Sequence, residues 1–564
     1  MTRQTHLIPK WSPLLRVPPF PGARVRAIAH RATNAQDVLA VDPQVCLDAL
    51  RRHRVGGSFW AAQPKLDPAS KLIARPSSDL QARAMIVRAE GEGLRDRLLF
   101  WLPEGVRPGR RDSGDIPVIE GDCDPWHMFD HADTLWIDAG DEIALLAAIA
   151  GCPTLCFAGD SADMADRRAP DCVARHVIGD TCYVDPFNGA PIDASAAIEL
   201  LGLWRTLIDS NRPIAAAVGF ARWKRPTVEP LLWNGSDPVR FMPATSETLR
   251  DLPPGAALAI WKARVPSEFL AVAETGSIKL REVEDGFIRS SGLGANCVPP
   301  LSIVVDAEGA HFDPRRPSAL ETLLETAEFS SATIAQANEL RDMIRQSGLS
   351  KYETGGASLS RPGGQRRHVL VPGQVEDDRS VLLGGGGIDG NLGLLRRVRA
   401  LEPDAFIIYK PHPDVEAGHR KGHVTEGEAR PFADAIMRDA SISSLLDMVD
   451  AIHVLTSLAG FEALLRDKPV TTHGVPFYAG WGLTTDLGAV PSRRTRRRTV
   501  AELIAAVLMA YPRYLDPVTL LPCPPDILVH RLATGMRKQN EAIVSLRRFQ
   551  GVLRRTFSRI GAAA

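Results

Sequence analysis

The second half of the chain alternates short apolar runs with amphipathic segments, and this alternation restricts the fold more than any other feature. The strand-like runs are 368–375, 405–409, 451–455 and 469–472, and helical patterns at 391–401 and 460–466 separate them. Strands separated by helices form parallel sheets, because the crossover helices cover the faces of the sheet. The sequence therefore predicts an α/β fold with a Rossmann-like domain over 366–510.

A second set of strand candidates precedes this domain. These candidates are 256–261, 278–283 and 301–305, and they predict another Rossmann-like domain over 213–360. A polar stretch rich in Gly and Pro, 354–364, lies between the two predicted domains. Two doubly wound domains joined in this way bind a ligand in the cleft between them.

A weak internal repeat extends this organisation to the first third of the chain. Residues 185–191 resemble 516–522, and each segment follows a tyrosine, Tyr183 or Tyr514, and precedes a predicted helix. A duplicated module with a shortened, divergent first copy over 1–212 explains the similarity. Chance similarity between segments rich in Ala and Leu is the alternative.

Composition excludes several classes of protein. Lys plus Arg and Asp plus Glu both number 67, so no net charge attracts nucleic acid, and no apolar stretch has the length of a membrane span. No apolar signal segment follows the N-terminus, which predicts a cytoplasmic protein. Six of the 8 cysteines lie irregularly in the first third, which favours reduced core thiols over a disulfide framework.

The most informative motif joins two adjacent carboxylates, Glu284 and Asp285, to a glycine-rich turn that contains Arg289. The acids follow a predicted strand, 278–283, and open α/β folds bind ligands at the carboxyl ends of their strands. A catalytic carboxylate needs a nearby cation, and Arg289 could supply it or hold a substrate carboxylate. A solvated turn with a salt bridge is the alternative.

Lys410, His412 and Pro413 directly follow another predicted strand. Prolines on both sides of the histidine hold its ring rigidly beside the lysine, an arrangement that suits a phosphate. A structural histidine is the alternative interpretation.

Thr456 and Ser457 lie between a predicted strand and a predicted helix. Ser457 is expected to cap this helix, whose N-terminus would receive an anion, although an ordinary cap has the same pattern. Glu462, in the first helical turn, would accept hydrogen bonds from a ribose or complement the helix dipole.

Two basic segments complete the candidates. The arginine-rich run 493–498 could meet an anionic acceptor, with a solvated loop as the alternative. Residues 511–564 are predicted to form C-terminal helices, and apolar residues at helical spacing among arginines make 537–560 a basic amphipathic helix. This helix would bind an anionic membrane or pack on the core.

Together, these motifs resemble the KpsC-type capsular polysaccharide proteins, which are retaining β-Kdo glycosyltransferases. The resemblance covers about 219–532, and its motifs follow the family's order: 222–225, 284–287 with 292–294, 313–317, 371–378, 410–414, 457–464 and 476–484. It implies a GT-B-like pair of Rossmann-like domains, preceded here by the degenerate first module. It also implies a CMP-Kdo donor, no metal or other cofactor, and a lipid-linked acceptor of the Kdo-phosphatidylglycerol type at the inner face of the inner membrane.

By position in the resembling motifs, His412 and Pro413 would hold the CMP and Ser457 its phosphate. Asp285 would be the nucleophile of a double displacement that builds the capsule linker, and Glu284 would orient it or act as acid and base. Other proteins of capsule assembly or export would be further partners. A non-catalytic scaffold of that machinery, or an enzyme for another nucleotide sugar, are the alternatives.

The first module departs from the family pattern. Leu102, Pro103 and Glu104 occupy the position of Lys410, Pro411 and His412, and two acids, 141–142, lie near the position of Thr456. Because a carboxylate repels a phosphate, we expect this module to be inactive.

Overall fold

A computed structural model describes residues 13–34, 38–106, 114–158, 161–164, 168–179, 181–276, 278–288, 298–349, 359–418 and 420–535. The chain separates into two compact units. The first unit comprises the chain up to Pro213 together with 232–238, and the second comprises 214–231 and the chain from Val239 onward.

The first unit contains a six-stranded sheet and a small three-stranded sheet. Its strands are β1 (Ala29–Arg31), β2 (Leu72–Arg75), β3 (Leu98–Leu102), β4 (Val118–Glu120), β5 (Thr134–Asp138), β6 (Thr154–Ala158), β7 (Ser161–Met164), β8 (Thr181–Val184) and β9 (Pro191–Ile192). Its helices are α1 (Pro43–His53), α2 (Asp79–Gly91), α3 (Pro125–His131), α4 (Glu142–Ala150), α5 (Ala169–Val173) and α6 (Ala194–Asn211). The larger sheet has the order β4-β3-β2-β5-β6-β7, and only the edge strand β7 is antiparallel.

The second unit contains a seven-stranded and a six-stranded sheet. Its strands are β10 (Ile214–Val218), β11 (Phe241–Met242), β12 (Ala257–Ile260), β13 (Lys279–Asp285), β14 (Ser302–Asp306), β15 (His368–Pro372), β16 (Phe406–Lys410), β17 (Ala435–Ile436), β18 (Ala451–Val454), β19 (Val470–Thr472), β20 (Thr485–Asp486), β21 (Pro512–Leu515) and β22 (Pro522–Cys523). Its helices are α7 (Arg225–Leu232), α8 (Ser246–Arg250), α9 (Ser267–Thr275), α10 (Ala319–Thr326), α11 (Ser331–Ser347), α12 (Arg379–Gly384), α13 (Gly390–Leu401), α14 (Pro413–Glu416), α15 (Glu426–Ala429), α16 (Ile442–Met448), α17 (Leu458–Leu464), α18 (Val500–Ile504) and α19 (Pro525–Ala533).

The two sheets of the second unit differ in their pairing. The six-stranded sheet is parallel throughout, in the order β17-β16-β15-β18-β19-β20. Every residue of its inner strands β15 and β16 is buried, as a parallel sheet covered on both faces requires. The seven-stranded sheet runs β11-β10-β12-β13-β14-β21-β22, parallel as far as β13 and antiparallel beyond it. The expected α/β class with parallel sheets is confirmed.

Both six-stranded sheets have one topology. Numbered within its own sheet, each runs 3-2-1-4-5-6, the order typical of dinucleotide-binding folds. Each is followed by a π-helical turn, 174–179 or 505–510, and then by a two-stranded ribbon. The Tyr183 hydroxyl donates to the carbonyl of Val177, and the Tyr514 hydroxyl donates to that of Leu508, both over 2.7 Å. These shared details support an internal duplication.

None of the helices in the described ranges combines the length and apolar character needed to cross a membrane. The predicted amphipathic helix 537–560 lies outside the described residues.

Candidate functional site

Two of the candidate segments and the segment of Gln374 meet at the carboxyl edge of the six-stranded sheet in the second unit. Strand β15 lies between β16 and β18, so the segments that follow these three strands are neighbours. Gln374 follows β15, Lys410 ends β16, and Thr456 follows β18. The strand order reverses between β15 and β18, and open α/β sheets bind ligands in the crevice at such a point.

Gln374 joins the two sides of this crevice. Its side-chain oxygen accepts a hydrogen bond from the Thr456 amide, and its side-chain nitrogen donates to the Thr456 hydroxyl, both over 3.0 Å. Asn391 in turn accepts from the Gln374 amide and donates to its carbonyl over 2.8 Å. The sequence reasoning did not single out Gln374 and Asn391, although Gln374 lies within the resembling motif 371–378.

Ser457 caps α17 as predicted, because its hydroxyl accepts a hydrogen bond from the Ala459 amide over 3.2 Å. The Tyr478 hydroxyl donates to the Ser457 carbonyl. Gly460 makes this contact possible, since a Cβ atom there would lie 2.2 Å from the tyrosine oxygen. Glu462 is buried in α17. The Ser457 cap and the Tyr478 hydrogen bond therefore fix the start of α17.

His412 and Lys410 both make structural contacts. The Asp414 amide donates to Nδ1 of His412 over 3.1 Å, so the imidazole caps α14, whose first residue is Pro413. With Nδ1 accepting, the ring proton lies on Nε2, which is the nitrogen able to donate to an anion. Lys410 is buried and donates to the carbonyl of Arg438 over 2.8 Å.

Glu284 and Asp285 are the last two residues of β13, not residues that follow it. Side chains alternate along a strand, so the two carboxylates reach different partners. Asp285 lies 3.1 Å from the Lys224 ammonium. This lysine is buried, and its nitrogen lies 3.3 Å from the ring centroid of Trp261 and 5.3 Å from that of Trp223. Lys224 lies within the resembling motif 222–225, but the sequence predicted no role for it.

Glu284 faces the six-stranded sheet's half of the unit. Arg379, the first residue of α12, donates to Glu282 over 2.7 Å and to Glu284 over 3.2 Å. The pKa of Glu284 is raised to about 8, mainly by burial; Arg379 and Lys224 act to lower this pKa, while Asp285 and Glu282 act to raise it. A carboxyl group with such a pKa is poised to exchange a proton near neutral pH.

An aromatic cluster packs the acid strand against the start of α17. Phe287 lies two residues beyond Asp285, and its ring centroid is 4.9 Å from that of Phe477 and 6.4 Å from that of Phe461. Phe461 and Phe477 also contact each other at 5.7 Å. The carboxylates and the crevice therefore belong to one packed structure.

Part of the arginine-rich run 493–498 is buried against α10 and neutralised there, although Arg497 is exposed. Arg493 and Arg494 both donate to Glu321 of α10, the second over 2.7 Å in a pair that is almost completely buried. Arg498 donates to the carbonyls of Leu324 and Ala327. These hydrogen bonds hold residues 493–498 against α10. Arg289, the third predicted catalytic residue, lies outside the described residues.

The first unit has different chemistry at the corresponding sheet edge. Leu102 ends β3 where Lys410 ends β16, and Asp141 caps α4 where Ser457 caps α17. Arg75, at the end of β2, donates to Asp141 over 2.8 Å. A carboxylate thus lies where the second unit has a hydroxyl, and an internal ion pair occupies the crevice.

Among the described residues, no group of three His, Cys, Asp or Glu side chains is arranged to hold a metal ion.

Several known proteins are similar in sequence to part of this chain. The family profile described as "Capsule polysaccharide biosynthesis protein" matches residues 257–514. The capsule polysaccharide modification protein LipA of Neisseria meningitidis serogroup A is 40% identical over 338 residues, which are 60% of this chain and 48% of LipA. The lipopolysaccharide-processing protein LpsZ of Rhizobium meliloti is 48% identical over 242 residues, 42% of this chain and 55% of LpsZ. The chain thus spans about half the length of these curated relatives.

A solved structure of Thermosulfurimonas dismutans KpsC, described as a beta Kdo 2,7 transferase, is 31% identical to this chain. The match covers 57% of this chain and 99% of that chain, with a TM-score of 0.48. The strand order of this chain itself defines an α/β protein with a crevice at a topological switch point of its sheet. Within that class, this chain belongs to the KpsC-type family of capsule polysaccharide biosynthesis proteins.

Proposed function

We propose that the chain is a retaining β-Kdo glycosyltransferase that moves Kdo from CMP-Kdo to a lipid-linked acceptor during synthesis of the capsule linker. Membership of the family supports the pathway, and the description of the KpsC structure supports the transferred sugar. The observation that carries the proposal is the pair of adjacent carboxylates, Glu284 and Asp285, which end one strand and have different environments.

The donor would bind in the crevice of the six-stranded sheet, with its phosphate at the start of α17. Ser457 and the Thr456 hydroxyl are the polar groups there, and Nε2 of His412 would donate to the phosphate. The buried ammonium of Lys410 would add positive charge at this edge of the sheet, which favours a phosphate. Glu462 would face the ribose.

Asp285 would attack the anomeric carbon of Kdo. One of its oxygens forms a bond to that carbon as the bond to the CMP phosphate breaks, so CMP leaves with the bonding electrons. The acceptor hydroxyl then forms its bond to the same carbon and releases Asp285 as a carboxylate. Two inversions at one carbon give net retention.

Glu284 would take the proton of the acceptor hydroxyl in the second step. Its pKa of about 8 in the free protein includes repulsion from the Asp285 carboxylate. Because Asp285 is a neutral ester in the intermediate, this repulsion disappears when the base is needed. The base would ionise more readily at that stage.

The acceptor would be a Kdo-phospholipid at the inner face of the inner membrane, so the protein would act as a peripheral enzyme there. The basic segment 537–560 would supply attraction to anionic lipid. Other capsule assembly or export proteins would receive the product.

Incubation of the purified protein with CMP-Kdo and a synthetic Kdo-lipid tests the proposal. The expected product is one Kdo heavier and carries a β linkage. CMP-sialic acid and a UDP-sugar serve as parallel donors. Product from one of these and none from CMP-Kdo would assign the chain to another sugar, and failure to bind CMP would favour the scaffold.

A further inference from the structure

The two adjacent carboxylates each have a cation from a different part of the fold. Lys224 lies between β10 and α7, on the same half of the unit as the acid strand. Arg379 begins α12, which follows the first strand of the six-stranded sheet. Neither cation is a neighbour of the carboxylates in sequence, so the fold alone makes these pairings.

We propose that Lys224 and Arg379 are positioning residues with separate tasks: Lys224 orients Asp285 and keeps it ionised, and Arg379 orients Glu284 and adjusts its proton affinity. This division rests on the proposed function for its catalytic meaning. The pairings themselves rest on the geometry of the described residues.

The surroundings of Lys224 restrict where its charge can lie. Its ammonium is 3.3 Å from the centroid of the Trp261 ring and 3.1 Å from the Asp285 carboxylate. An indole face attracts a cation, so the ring holds the ammonium beside the carboxylate. An attacking carboxylate must be ionised, and a cation at this distance favours its ionised form.

Arg379 has a different geometry, because one guanidinium nitrogen serves two carboxylates. That nitrogen is 2.7 Å from Glu282 and 3.2 Å from Glu284. The Arg379 guanidinium also lies 4.9 Å from the ring centroid of Phe312. Ser380, the next residue, lies 3.5 Å from the Thr456 hydroxyl at the crevice. Arg379 therefore connects the base to the edge of the crevice.

The proton affinity of Glu284 reflects several neighbours. The charged and titratable groups that face it are Arg379, Glu282, Asp285, Lys224 and Tyr511. Removing Arg379 leaves Glu282 and Asp285 as repelling charges, so the pKa of Glu284 is expected to rise by about 1–3 units. Each unit reduces the ionised fraction at neutral pH about tenfold.

Infrared titration of the full-length protein tests the pairings without substrate. The carbonyl stretch of each protonated carboxyl is assigned by its loss in Glu284→Gln or Asp285→Asn. Arg379→Met is expected to move the Glu284 midpoint to higher pH and to leave Asp285 in place. Lys224→Met is expected to move mainly the Asp285 midpoint upward, so each variant is the control for the other.

Kinetics supply the second readout. With Arg379→Met, turnover at neutral pH is expected to fall about tenfold or more, to recover as the pH is raised, and to leave KM for the donor nearly unchanged. Arg379→Lys should restore part of the loss. Lys224→Gln and Lys224→Arg replace Lys224→Met if that variant does not fold.

Unmoved midpoints in folded variants would overturn the inference, as would equal shifts of both carboxylates in each variant. A rise in donor KM with no change in the pH profile would also overturn it, by making the cations direct donor ligands. If the wild-type protein transfers no sugar, the proposed function fails, while the infrared titration still decides the pairings.

Discussion

Replacing Glu321 by Gln should loosen the return segment that leads from the six-stranded sheet back to the seven-stranded sheet. The Glu321 carboxylate accepts from Arg493 and Arg494, and the Arg494 side chain is only 3% exposed. Two carbonyls, of Pro476 and Ala479, also accept from Arg494 but carry no full charge. Glu321→Gln would leave a buried guanidinium without its anion, which typically costs about 3–5 kcal/mol.

Hydrogen exchange measured on peptides that cover α10 and residues 490–499 reports this opening directly. A loss of about 3–5 kcal/mol in local stability accelerates hydrogen exchange by about a hundredfold or more. This holds when local opening and closing are fast compared with exchange, since about 1.4 kcal/mol corresponds to a factor of ten. Glu328→Gln is the matched control, because Glu328 pairs with Arg496 on the surface and is 81% exposed. Exchange that differs by less than a few-fold between the two variants would refute the structural role assigned to the buried pair.

Three further predictions concern the site. Asp285→Asn should reduce transfer below a tenth of the wild-type rate while calorimetry shows nearly unchanged CMP affinity, because an amide cannot act as the nucleophile. His412→Ala should weaken CMP binding by about 1–3 kcal/mol, because the Nε2 donor is lost. His412→Asn is the control, since asparagine keeps the cap on α14 and only the Nε2 donor is removed. Equal CMP affinity in the wild type and both variants would make His412 purely structural. CMP should bind the full chain at one site, and a second site that is sensitive to Arg75→Ala would show that the first unit binds nucleotide.

Much of the fold could be predicted because its pattern is local. Buried parallel strands appear as continuous apolar runs. The predicted segment 405–409 differs from β16 by one residue at each end, and 451–455 differs from β18 by one residue at its C-terminal end. The cap of α17 by Ser457 was predictable for the same reason, since an N-cap depends on the neighbouring residues.

The partners of the site residues could not be predicted, because they come from distant segments. Lys224 and Arg379 are 61 and 95 residues from their carboxylates. The arginine-rich run 493–498 shows the same limit, because its charges are visible in the sequence but their partner is not. A dense positive charge usually indicates solvent or an anionic ligand, and only the position of α10 reveals that Glu321 neutralises part of it.

The two six-stranded sheets have the same fold but carry different residues at their carboxyl edges. They share strand order, a π-helical turn and a tyrosine bonded to the turn's carbonyl, so the backbone crevice exists in both units. In the second unit, hydroxyls and an imidazole line that edge, while in the first Asp141 takes the cap position and Arg75 neutralises it. An internal carboxylate paired with an arginine satisfies the same helix start that a phosphate would satisfy. We therefore expect the first unit to keep this architecture without a nucleotide, and a few residues at the sheet edge to account for the difference between the two units.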